Sequence, residues 1–306
     1  MRRRGDSLKL SVVVIAYNMA RELPRTLLSL SPEMQLGIGS GDYEIIVVDN
    51  GSEPPAAIDV PWAGTRLVRI DDAAPSPAAA VNRGLATATG DLIGVLIDGA
   101  RLASPGLLSG AIRASSLHRR PVIGSLGFHL GLEVQMKSVG AGYTEREEDR
   151  LLAASGWKHD GYRLFEISVF AGSSAGGWFA PIAESNALFM PRALWDELKG
   201  YEERFASPGG GLVNLDTYRR ACALPDSQLM LLLGEGTFHQ VHGGVSTNAD
   251  SSGWEPFHDE YVGIRGVEHE SPQVEPLYIG FVKDQVLGHI GESANLALKH
   301  HDRTAE

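Results

Sequence analysis

The chain has one cysteine, Cys222, so no intrachain disulfide framework can brace its 306 residues. No apolar run approaches the roughly 20 residues needed to cross a bilayer. There are no internal repeats and no low-complexity tract. Basic charge is scarce too: 27 Lys and Arg face 38 Asp and Glu, a formal charge of -11. Such a chain is a poor match for nucleic acid as main partner. The opening residues Met1–Asp6 hold three arginines with no apolar core behind them, so they do not read as a signal peptide. Together these absences lead us to expect a cytoplasmic protein with no transmembrane segment. Its apolar content of 43% is enough for one large α/β domain or two smaller ones.

Short runs rich in Val and Ile stand out. Residues 10–16, 44–49, 66–70, 92–98 and 121–127 read as strands, and the first two are apolar on both faces, as in a buried parallel sheet. Helical patterns lie between them at 20–30, 77–88 and 105–116, with Asn18 as a cap for the first and Pro105 in the first turn of the third. Strands alternating with helices imply βαβ units and a largely parallel sheet. Further on, 143–154 reads as a charged helix, Ser185–Pro191 as a strand and 192–199 as a helix. Residues 213–223 read as a helix, 229–233 as a buried strand that ends in glycines, and 281–299 as an amphipathic helix.

In an open α/β sheet, ligands sit beyond the carboxyl ends of the strands. Tyr17, Asn18, Asp49 and Asn50 should therefore share one rim. Taken singly, Asn18 is an ordinary helix cap and Asp49–Ser52 an ordinary Asx turn. Polar clusters at the ends of two adjacent strands argue for a ligand rim instead.

The order of motifs resembles glycosyltransferase family 2. It runs Ala16-Tyr17-Asn18, then Ile46-Val47-Val48-Asp49-Asn50-Gly51-Ser52, then Ala80-Val81-Asn82-Arg83-Gly84, then the segment Ala88–Asp98. The likeness covers residues 8–105 and resumes over 184–221, where Gly200–Phe205 is similar to a Gly-Phe-Asp-Glu-Arg-Phe segment. The block Gly234–Thr247 is similar to part of a bacterial subgroup. The resemblance implies a GT-A fold: an α/β, mostly parallel central sheet flanked by helices, with a C-terminal extension. It implies a nucleotide-sugar-binding half at 1–130 and an acceptor half at 131–249. The extension at 250–306 reads as polar chain dotted with Trp254, Phe257, Tyr261 and Tyr278; it is too short for a core of its own, so we expect a lid or an oligomer contact. The resemblance also implies a nucleotide-sugar donor and a glycan or small-molecule acceptor. Ala16, Tyr17 and Asn18 would lie against the nucleotide, Asp49 on the base or ribose, and Asn82 and Arg83 near the ribose or diphosphate. Asp98 matches the first aspartate of the Asp-X-Asp motif. A divalent cation, Mn or Mg, or fixed cationic groups would neutralise the diphosphate leaving group.

Two motifs depart from the family pattern. Asp98-Gly99-Ala100 lacks the second aspartate, while Arg101 follows at once and can supply charge without a metal. Aligned on Asp216 and Arg220, Asn214 stands where the family has its catalytic Asp. An amide cannot deprotonate an acceptor hydroxyl. Asp216 and Glu184 are the carboxylates nearest in sequence context, and a helix-surface carboxylate is an equal reading of Asp216. His239 and His242, three apart and rimmed by glycines, can ligate a metal with Asp98 or can be loop histidines bonded to backbone. Glu235 could orient one of them. An inactive nucleotide-sugar or glycan-binding relative acting with a partner is the second functional expectation. Gly172–Gly176 has the Gly-X-Ser-X-Gly pattern of a hydrolase elbow without the helix that should follow it. Gly37–Gly41 has dinucleotide-like glycines in the wrong order relative to a strand. Trp157, Trp178 and Trp254 read equally as sugar platforms or as packing.

Overall fold

The computed structural model describes residues 9–59, 62, 64–243 and 254–304. The end of the block Gly234–Thr247 and the expected boundary at 249–250 lie outside them.

The first half builds β1 (Leu10–Ala16), α1 (Leu23–Ser29), β2 (Tyr43–Asp49), β3 (Thr65–Arg69), α2 (Ala78–Thr87) and β4 (Leu92–Leu96). A short β5 (Arg101–Ala103), α3 (Leu107–Ser115) and β6 (Pro121–Leu130) follow. The second half adds α4 (Gln135–Gly140), α5 (Glu145–Ser155), β7 (Ser168–Phe170), β8 (Ala187–Pro191), α6 (Arg192–Leu198), α7 (Val213–Cys222) and β9 (Gln228–His239). It closes with α8 (Trp254–Arg265), β10 (Leu277–Gly280) and α9 (Leu287–Thr304).

The sheet runs β10-β9-β6-β8-β4-β1-β2-β3, with β5 on β9 and β7 on β6 as side pairs. β1 is parallel to β2 and β4, and β6 is parallel to β9. β8 is antiparallel to both β4 and β6. It follows that β1, β2, β4, β6 and β9 all point toward one rim, with β8 as the reversed strand among them. Asp49 and His239 end their strands on that rim, His129 stands one residue before the end of β6, and Asp98 lies just past the end of β4.

Alternation along the strands sorts the core into two layers. Val13, Ile15, Ile46, Val48, Ile93 and Val95 face the layer that holds Val81 of α2 and Leu194 of α6. Val12, Val14, Ile45, Val47 and Leu96 face the layer of α1 and α3, with Leu23, Leu27 and Leu107. Burial on both faces explains the unbroken Val and Ile runs. Gly84 lets α2 press onto β1, since a Cβ there would stand 2.3 Å from Val13 Cγ1.

Four local expectations are corrected. Asn18 does not cap a helix. It takes φ +53, α1 begins only at Leu23, and the Asn18 side chain accepts from the Glu53 N–H at 2.8 Å. β9 does not stop at 233. Gly234, at φ +79, kinks the chain and the strand resumes. Against β6 the register jumps from Gly124↔Leu231 to Leu126↔Gly236, which leaves a bulge around Leu232–Glu235. Residues 254–265 and 277–280, to which the sequence assigns no element, form α8 and β10, and β10 joins the sheet beside β9. Trp157 and Trp178 are 2% and 0% exposed and serve packing, with Trp178 Nε1 donating to the Leu232 carbonyl at 3.0 Å.

Candidate active site

The β1 and β2 ends are stitched together. Asn50 N–H donates to the Ala16 carbonyl at 2.8 Å, and Asn18 N–H to Ser52 Oγ at 2.8 Å. Asp49 is fully buried: Oδ1 accepts from Ser52 N–H, and Oδ2 from Ala56 N–H and from Arg69 at 2.6 Å. Burial alone would raise its pKa, but these bonds hold it below the usual value. Asp49 thus sets the shape of the 52–56 loop, and Tyr17, 56% exposed, stands open on this rim beside the exposed Asn18.

Asp98, His239 and His242 converge. Asp98 Oδ2 lies 2.8 Å from His239 Nε2 and 3.5 Å from His242 Nε2, and the two imidazole nitrogens are 3.1 Å apart. One ligand atom from each falls within 4.8 Å of the others. Gln135 fixes the chemistry of this group. Its Nε2 donates to the His239 carbonyl at 3.0 Å, so its Oε1 accepts from His239 Nδ1–H. A neutral His239 then turns a lone pair toward Asp98. Burial pushes His239 down to about 4, against the pull of Asp98, so it is neutral near pH 7. Burial also works against the charge of His242, but Asp98 outweighs it and raises that pKa. Asp98, despite burial, is held well below the carboxylate range by His242 and His239. Asp98 Oδ2 and His239 Nε2 then face each other as two acceptors 2.8 Å apart, a pairing that a proton or a cation beside them must relieve. Two imidazoles and one carboxylate are a donor set for a divalent transition ion such as Mn, and imidazole is a poorer partner for Mg.

The backbone carrying the histidines is gripped from several sides. Gln240 N–H donates to the Ala100 carbonyl at 2.8 Å, and its side chain donates to the Glu22 carbonyl. Val241 N–H donates to Glu148 Oε2 at 2.7 Å, while Arg21 donates to the Val241 carbonyl and to Glu148 Oε1 at 3.0 Å each. Gln135, Glu148 and Arg21 were not legible as site residues, because each reaches the site from far along the chain: Gln135 meets the His239 ring and carbonyl across 104 positions, and Glu148 and Arg21 meet the Val241 backbone across 93 and 220.

The acceptor-half candidates separate. Glu184, partly buried, accepts from Asn214 Nδ2 at 2.5 Å. Asn214 in turn accepts from the Tyr201 hydroxyl at 2.9 Å. Asp216 is fully buried, and Arg265 holds both its oxygens at 2.7 Å while Arg220 adds 2.7 Å on Oδ2. The surface-carboxylate reading of Asp216 is therefore corrected, and its oxygens are committed to guanidiniums. Asn82 sits within α2 and bonds Tyr201 N–H, the Tyr201 carbonyl and Glu203. Arg83 is exposed on the same helix. An open groove lined by Asn82, Leu85, Trp195 and Lys199 holds none of Asp98, His239 or His242. Glu235 orients no histidine. It accepts from Ser104 at 2.6 Å, Gly106 N–H at the start of α3, and Tyr162 at 2.7 Å. Ser174, the hydrolase-like serine, is buried and accepts from Gly127 N–H.

A twisted sheet with one reversed strand, helices on both faces and a carboxylate–imidazole centre on its rim defines a GT-A-like α/β protein. Residues 11–114 match the model of glycosyl transferase family 2. No curated protein matches it. Among solved structures, S. aureus TarS 1–349 in complex with UDP-GlcNAc is 14% identical, with a TM-score of 0.52, covering 84% of this chain and 65% of that one. A second S. aureus TarS structure is 14% identical at TM-score 0.47, covering 76% of this chain and 37% of that one. The mannosyltransferase PcManGT from Pyrobaculum calidifontis, in complex with GDP-Man and Mn2+, is 14% identical at TM-score 0.44, covering 95% and 70%. The chain thus spans less than two thirds of the TarS chains it matches. Among the described residues, no helix is long and apolar enough to cross a membrane.

Proposed function

We propose that this protein transfers a sugar from a nucleotide-sugar to a glycan or small-molecule acceptor. The observation that carries the reading is the meeting of Asp98 Oδ2, His239 Nε2 and His242 Nε2, with Gln135 presenting a His239 lone pair. These three residues would hold a divalent cation, which when bound supplies Lewis-acid charge to a diphosphate leaving group. Tyr17 and Asn18 lie along the nucleotide, and Asp49 keeps the 52–56 loop in shape for it. Asn82 and Arg83 stay with the donor half through α2, which the Tyr201 contacts hold in place. Glu184 takes the acceptor hydroxyl proton, and Asn214 orients it by donating to Oε2. In this reading Asp216 braces α7 rather than acting as base. The extension beyond 250 closes over the site or contacts a second copy.

A second reading, an inactive binding relative, is favoured by one observation: Asn214 and Ala100 stand where the family has carboxylates. Donor hydrolysis separates the two. UDP, GDP, dTDP and CMP are screened by thermal shift with and without manganese, and the sugar-nucleotides of any hit are then followed for slow hydrolysis. Binding to the folded state alone raises its stability by mass action. Nucleotide binding with sugar release supports the enzyme, and binding without release supports the inactive relative. Neither binding nor release would sink both. Manganese affinity should rise when the matching nucleoside diphosphate is present, because phosphate oxygens complete the shell.

A further inference from the structure

Arg101 begins β5 and pairs with His239 across to β9. The residue is 8% exposed, and its Nε and Nη1 are buried with no hydrogen-bond partner. Its nearest carboxylate oxygen is Asp98 Oδ2, 3.6 Å from Nε and beyond hydrogen-bond range. Asp98 has little left to offer, since Oδ1 accepts from Ala100 N–H and Oδ2 faces the two imidazoles. Glu184 is the other carboxylate whose field Arg101 feels. A permanently charged fork therefore feels both the donor-side and the acceptor-side carboxylate while Nε and Nη1 hydrogen-bond to neither.

Buried guanidinium N–H groups are normally satisfied. Two idle ones beside a cation-demanding centre point to an anionic ligand with several oxygens. Phosphate matches the guanidinium fork in a bidentate way. Ala100 sharpens the argument, because no second carboxylate is present to compete for Arg101. We infer that Arg101 is a ligand-binding residue that grips the diphosphate of the donor directly, so that a nucleoside diphosphate is held even without a metal ion. The inference rests on the sugar-transfer reading for the identity of the ligand, though not for the anion site itself.

Inorganic pyrophosphate is the probe, titrated calorimetrically into the full chain in EDTA and again with manganese. Wild type should bind it in EDTA. Arg101→Met should weaken that binding about tenfold or more, and Arg101→Lys should fall between, since a point charge lacks the fork. Thermal melts check folding of each variant. If Arg101→Met fails to fold, the Lys variant alone decides, and affinity equal to wild type would overturn the inference. No pyrophosphate binding by wild type in EDTA would overturn it, as would equal affinity in Arg101→Met. Glucuronate binding that depends on Arg101 while pyrophosphate is ignored would overturn it in favour of a carboxylate ligand. Arg101-dependent pyrophosphate binding with no sugar-nucleotide bound leaves the inference standing and removes the proposed function. Sugar-nucleotide hydrolysis with Arg101-independent pyrophosphate binding does the reverse.

Discussion

Two carboxylate centres of this molecule look alike in outline and differ in kind. Asp216 meets Arg220 and Arg265, and Asp98 meets His239 and His242. The arginines carry fixed charge, so the Asp216 centre is complete as folded. The imidazoles carry charge only when protonated, so the Asp98 centre can exchange a proton for another cation. The first joins α7 to α8 as a brace, and the second is open to chemistry. A carboxylate's role here follows from whether its partners can give up their charge.

Asp216→Asn should break the comparison from the structural side. It leaves two guanidiniums without their carboxylate and should cost about 3–5 kcal/mol. Urea unfolding measures it, and a loss within error would show that the ion pairs are not a brace. Asp98→Asn should do the opposite, keeping the melting temperature within a few degrees while lowering donor turnover about a thousandfold. Comparable turnover in the variant would remove Asp98 from the centre. Glu184→Gln should lower kcat about a hundredfold with donor affinity unchanged, read by steady-state kinetics alongside nucleotide titration. A rise in KM alone would assign Glu184 to binding.

Glu148 supplies the smallest and sharpest test. Burial raises its pKa to about 7, against the pull of Val241 N–H and Arg21. A carboxyl whose folded pKa lies above its unfolded value of 4.5 favours folding when protonated. Its contribution is complete below pH 4.5 and is lost as pH rises through about 7. The shift is worth roughly 3 kcal/mol across that window. Glu148→Gln should flatten the stability profile between pH 4.5 and 7 relative to wild type. Parallel profiles would mean that Glu148 is ionised throughout.

The parts of this fold legible in sequence are those where one strand carries its own signal. The Val and Ile runs of β1, β2, β4 and β6 announce burial on both faces, and polar residues at their ends mark the rim. Asp98, His239 and His242 were legible as a group because each ends or follows such a run. Asp216 was not, because Arg265 lies 49 positions away in a stretch whose composition reads as polar chain. Gln135 was hidden for a related reason, since its partner is 104 positions distant. β9 was cut short because glycine normally ends a strand, whereas here Gly234 only kinks it. Asn18 drew a cap reading from its residue type, yet its left-handed backbone turns the side chain to a neighbouring loop.

The bulge in β9 acts as an expansion joint. Upstream, Leu229–Leu231 keep step with Val122–Gly124, and downstream Thr237–His239 keep step with both β5 and β6. The residues between them pair with neither β5 nor β6, but Leu232 and Leu233 pair with Ile279 and Gly280 of β10, and Glu235 holds Ser104, Gly106 and Tyr162. The joint thus takes up a difference of register while its own residues stay fixed to other neighbours. A residue inserted after Gly236 would exchange the faces of Phe238 and His239 and put a phenyl ring where the imidazole stands. The tail of β9 is thus intolerant of changes in length, and the joint lets the two halves of one strand keep step with different partners.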